Sequence, residues 1–146
     1  MRLAALGLAL ALGACASSFG ERTPEERKAA WEAGNVFPTA YRVELLAYLR
    51  TYLNDPTGIR EAAVSEPALK PVGPGDRYVV CVRFNPKKAG GGYAGAKEHP
   101  VIYVGGKLDR YVETGPATGP AAASQATELC RGATYAAFPE LERLTR

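Results

Sequence analysis

The chain is poor in the residues from which most catalytic and metal sites are built. It holds one histidine, one tryptophan and three cysteines in 146 residues. A protein metal site needs about three or four ligands with His or Cys prominent, and neither Cys81 nor Cys130 has a His, Cys or carboxylate at ligand spacing. No metal ligand is assigned, and no cofactor. No Cys-x-x-Cys occurs, which removes thioredoxin-type redox chemistry. No G-x-S-x-G elbow and no Lys-Ser/Thr phosphate-loop ending is present. His99, beside Pro100 at the entry to a strand, reads as a surface residue rather than a base. Glu61, Glu66, Asp76, Glu98 and Asp109 are scattered, and only the fold decides whether two of them converge. No catalytic residue is assigned.

Strong charge is lacking too. The formal net charge is +3, and Lys and Arg are spread along the chain with no stripe to track phosphates and no basic strand pair interleaved with aromatics. Nucleic acid is set aside as a partner. A membrane-spanning run is also missing, since the longest apolar stretch, Leu3 to Leu12, is half of the roughly 20 residues a span requires.

That stretch follows a single positive charge, Arg2, and has the length of a signal-peptide core. Leu12-Gly13-Ala14-Cys15 comes directly after it and resembles the bacterial lipobox: a branched apolar residue, two small residues, then cysteine. The resemblance implies cleavage before Cys15, diacylglycerol on its thiol, an added acyl chain such as palmitate, and stable attachment to a membrane. The competing reading is a generic secretory signal cut elsewhere. Ala16 stands where Asp would retain an enteric lipoprotein at the inner membrane, which points to the outer membrane. The expected organisation is residues 1–14 as signal peptide, 15–22 as lipidated tether, and 23–146 as one domain facing the periplasm of the cell envelope.

Export makes Cys81 and Cys130 an even pair outside the cytoplasm, which suggests a disulfide. Two buried thiols are the alternative.

Sixteen glycines and eleven prolines predict many turns. Thr23-Pro24-Glu25-Glu26 is a capping box with proline at the first helical position, opening a short helix that Gly34 should end in left-handed geometry. Tyr41, Leu45, Tyr48, Leu49 and Tyr52 give the Thr39 to Asn54 segment one apolar face, and Asp55-Pro56 stops it. At helical period the tyrosines read as core rather than as a ligand-stacking surface. Ile59 to Ser65 is a weak strand, and Glu66 to Asp76 a Pro/Gly loop. Arg77 to Phe84 alternates, with Tyr78, Val80, Val82 and Phe84 on one side and Val79 and Cys81 on the other. Val101 to Val104 and Lys107 to Glu113 flank Gly105-Gly106 as a hairpin. Thr114 to Ser124 reads as loop, Ala121 to Cys130 as a helical turn or two, and Phe138 to Glu142 as a last short helix. The fold class is α+β: an amphipathic helix packed on a small antiparallel meander sheet of three to four strands.

Tyr78-Val79-Val80-Cys81-Val82-Arg83-Phe84-Asn85-Pro86-Lys87, followed by Gly91-Gly92-Tyr93-Ala94-Gly95, resembles a pattern in small proteobacterial envelope lipoproteins of unassigned function. The likeness runs from about Tyr41 to Lys107 and implies the helix-then-meander order, but no site residues. The loop Gly90 to Gly95 is the best local candidate for partner contact, through Gly91, Gly92, Tyr93 and Gly95, because glycine lets backbone N–H groups approach an anion. Its plainer reading is a connection with Tyr93 packed across it. The expected function is non-enzymatic: binding or assembly at the membrane, with an envelope protein or peptidoglycan as partner. The alternatives are a hydrolase of an envelope polymer, which needs paired carboxylates, and a small-ligand domain, which needs an apolar pocket between helix and sheet.

Overall fold

The computed structural model describes residues 21–114 and 119–145. The predicted signal peptide, Cys15 and most of the tether lie outside the described residues, as do 115–118 of the predicted Thr114 to Ser124 loop. No described helix is long and apolar enough to cross a membrane.

Ten elements follow in chain order: α1 (Pro24–Glu32), α2 (Tyr41–Tyr52), β1 (Arg60–Ser65), β2 (Ala68–Val72), β3 (Gly75–Asn85), β4 (Lys97–Val104), β5 (Lys107–Tyr111), α3 (Gly119–Cys130), β6 (Tyr135–Ala137) and α4 (Pro139–Glu142). The fold is α+β, with helices on an antiparallel sheet. Strand order is β5-β4-β3-β1-β6, and β2 also pairs with β3. β3 organises it, because its strict alternation feeds two cores. Val80, Val82 and Phe84 join Leu45 and Leu49 of α2, while Val79 and Cys81 join Ile102, Leu129 and Cys130 beneath α3. Leu45 and Leu49 are fully buried, each contributing about 1.5–3 kcal/mol of burial.

The sheet is larger than predicted. β1 pairs with the C-terminal half of β3 (Val64↔Val82) and β2 with its N-terminal half (Leu69↔Tyr78), so the two form one strand broken at Glu66-Pro67. The predicted Glu66 to Asp76 loop is therefore wrong over Ala68–Val72. Pro71 is tolerated there because β2 lies at an edge. β1, read as weak, is flanked on both sides, and Ala62 to Ser65 are buried in succession. β6 adds three residues that were too few to read.

The helices carry further corrections. α1 has the predicted capping box, with Glu26 N–H donating to Thr23 Oγ1 and Thr23 N–H to Glu26 Oε2. Gly34 does not take left-handed geometry, however. The turn closes locally with Asn35 N–H on the Glu32 carbonyl at 2.9 Å, and a tertiary bond holds it, the Gly34 carbonyl accepting from Gly105 N–H at 2.8 Å. α3 is a full twelve-residue helix where loop and a turn or two were expected. Its alanines favour helix, and Ala126, Leu129 and Cys130 are buried on the second face of the sheet. The sulfurs of Cys81 and Cys130 lie 2.06 Å apart, at disulfide bonding distance, with both residues buried.

Candidate functional site

The sheet has two unlike ends. At one, the turn at Gly73-Pro74 meets Trp31 of α1, and the Gly105-Gly106 turn meets Gly34, Val36 and Phe37 just after it. At the other, the C-terminus of α2 meets the ends of β3 and β5 and the start of β4, and a groove of ≈ 330 Å³ opens between them. That is the lower end of the range for small-molecule sites.

Its wall is a chain of rings. His99 packs between Phe84 and Tyr111, with centroids 5.2 and 5.1 Å away. Tyr111 continues to Tyr52 at 5.0 Å and to Tyr48 at 5.4 Å, and those two tyrosines stack on each other at 5.2 Å. Strand parity explains the meeting. Val101 and Tyr103 of β4 face α2, so His99, two residues earlier, faces it as well. The tyrosine stripe of α2 thus packs as core, as predicted, but Tyr52 also lines the groove.

His99 is not the surface residue the sequence suggested. Burial pulls its pKa down to about 4; a hydrogen bond with the Val112 backbone opposes this and Lys97 adds to it. The ring is consequently neutral at pH 7. The Thr114 hydroxyl donates to the Glu98 carbonyl at 2.7 Å and lies 3.0 Å from His99 Nδ1, holding the ring in place. A half-buried neutral imidazole held this way is a structural ring of the wall, poorly suited to proton transfer near neutrality. Burial likewise raises the Tyr111 hydroxyl well above its ordinary value, with Tyr48 adding to the effect.

Charge at the groove comes from Lys87, Lys88 and Lys97, all exposed, against Glu113. The rim is cationic and the wall apolar.

The glycine-rich loop takes part differently from the prediction. Its backbone donors face inward: Gly91 N–H bonds the Lys88 carbonyl at 2.9 Å, Lys88 N–H the Gly92 carbonyl at 3.1 Å, and Gly95 N–H the Asn85 Oδ1 at 3.1 Å. A Cβ at Gly90, Gly91, Gly92 or Gly95 would meet nothing within 4 Å, so these glycines form no cradle. Gly91 and Gly92 supply positive φ for the turn, at 81° and 77°. Tyr93 is a latch. Its hydroxyl donates to the Gly58 carbonyl at 2.7 Å, and the Arg60 guanidinium lies 4.2 Å from its ring centre. Of the predicted contact residues, Gly95 lines the groove, while Gly91 and Gly92 do not.

Sequence reasoning missed Phe84, His99, Tyr111 and the lysines as a unit. The signal was there in part, since extending the alternation of β4 back past Pro100 places His99 on the helix side.

Among further grooves on the described surface, three carry a single carboxylate each: Glu66, Glu98 and Glu140 in turn. Among the described residues no three His, Cys, Asp or Glu side chains converge. No family model matches the chain, and neither a curated protein nor a solved structure matches it. The chemistry of the groove thus rests on its own residues.

Proposed function

We propose that this chain is a lipid-anchored protein of the cell envelope that acts by binding, with the groove at the far end of the sheet receiving an anionic ligand. The observation that carries the reading is the meeting of an apolar ring wall with Lys87, Lys88 and Lys97 in one groove. Apolar walls with a few convergent polar groups are the usual composition of a binding site. Three lysines facing one glutamate select negative charge. The binding reading is favoured over an envelope-polymer hydrolase by the cationic, apolar make-up of this groove, whose lining includes one carboxylate, Glu113, where polymer hydrolysis uses a facing pair.

Attachment through Cys15 and cleavage before it stand with this proposal, supported by the Leu12-Gly13-Ala14-Cys15 motif, as does residence at the outer membrane, supported by Ala16. The buried Cys81–Cys130 pair suits an oxidising compartment.

The test places a photocrosslinking amino acid at Ala94, an exposed residue of the groove, in cells making the full chain. A reproducible adduct that disappears when Lys87, Lys88 and Lys97 are reversed supports the reading. Absence of any adduct counts against it. Incorporation of labelled palmitate, abolished by Cys15→Ser, tests the anchor separately.

A further inference from the structure

We propose that the groove takes the carboxylate-bearing glycopeptide of the cell wall rather than the headgroups of the membrane that holds the anchor. The proposal rests on the binding-groove reading and on lipidation at Cys15.

Position is the first argument. α1 buries no residue fully, yet it is clamped to the hairpin end of the sheet. The Trp31 ring covers Gly73, where a Cβ would come within 3.2 Å. Glu32 accepts from Asp76 N–H at 3.0 Å, and Asn35 Nδ2 donates to the Asp76 carbonyl at 3.1 Å. Arg77 stacks on Trp31 at 4.1 Å. The chain leading back to Cys15 therefore joins the domain at this end. From Gly75 to Asn85, β3 runs ~33 Å at ~3.3 Å per residue to the end where the groove opens. The described chain thus enters the domain at the end of the sheet opposite the groove, and an anchor upstream of α1 favours a groove turned away from the headgroups.

Composition is the second. Half-buried Tyr52 and Tyr111 line the groove with Phe84 and His99 and give it an apolar wall against which the C–H groups of a sugar ring can pack. Lys87, Lys88 and Lys97 suit free carboxylates. A glycan strand with acidic stem peptides combines the two features. A phospholipid headgroup supplies phosphate without the second feature, and from the wrong side.

The experiment is cosedimentation of the full-length, detergent-solubilised chain with purified sacculi. Wild type is expected in the pellet. The K87E/K88E/K97E variant is expected to bind about tenfold more weakly, as is wild type on sacculi whose carboxylates have been amidated. Reversal of three exposed cations at the α1 end, Arg22, Arg27 and Lys28, should leave binding unchanged. A thermal midpoint shared with wild type shows that the variants fold. Equal pelleting of wild type and K87E/K88E/K97E overturns the proposal. So does tighter binding of the Cys15→Ser chain to phosphatidylglycerol vesicles than to sacculi through the same lysines. Failure on sacculi with the Ala94 adduct retained sinks this inference alone, whereas loss of both removes the binding groove as well.

Discussion

Acidification should destabilise this domain in large part through His99, in a pH window set by its packing. In the unfolded chain an imidazole takes up a proton near 6.5, and in the folded protein His99 does so only near 4. Between those values the unfolded form holds one more proton than the folded form, so stability falls as pH falls. Above 6.5 the ring is neutral in both states and contributes no slope. Below 4 it is charged in both, and the loss is complete. At about 1.4 kcal/mol per pH unit over that gap, the loss comes to about 3 kcal/mol, a sizeable part of the stability of about 5–15 kcal/mol typical of a small domain. The measurement is urea unfolding of wild type and His99→Phe at several pH values from 7.5 to 4. Phenylalanine keeps a ring between Phe84 and Tyr111 but does not titrate, and carboxylate effects cancel in the difference. Wild type should lose about 3 kcal/mol more than the variant on going to pH 4. A difference curve that stays flat would refute the buried-ring account, as would an NMR titration of the folded ring with a midpoint near 6.5.

Three further outcomes follow from the packing. Replacing Cys81 and Cys130 with alanine should lower stability by about 4 kcal/mol, the loop-closure contribution for a separation of 49 residues, measured as a fall in urea midpoint that reducing agent reproduces in wild type. Leu49→Ala, at a position with no solvent exposure on the face of α2 that meets the sheet, should cost about 2–5 kcal/mol by thermal or urea unfolding, and a cost under 1 kcal/mol would contradict the packing of α2. Tyr93→Phe removes the 2.7 Å bond to the Gly58 carbonyl and should cost about 1 kcal/mol, with faster amide exchange from residue 87 to 95 as the local readout.

Much of this protein is determined by short-range pattern and was legible from it. The capping box at Thr23, the apolar face of α2, the alternation of β3 and the Gly105-Gly106 turn are each specified within about a dozen residues, because caps, helical period, pleat and turn chemistry act over that range. The Cys81–Cys130 pairing was also suggested at this level, once the lipobox resemblance set Cys15 apart from the other two cysteines. Tertiary structure decided the rest. β2 is a strand because β3 lies beside it, despite Pro71, and α3 is a helix because a second apolar face of the sheet was left to cover. The turn at Gly34 is held without left-handed geometry by Gly105, distant in sequence, which meets its carbonyl. The groove is the clearest case. Tyr52, Phe84, His99 and Tyr111 come from four elements, and no local rule sets the distance between side chains so far apart in the chain. Only the register of β3, β4 and β5 and the seating of α2 across them bring those rings together beneath three lysines.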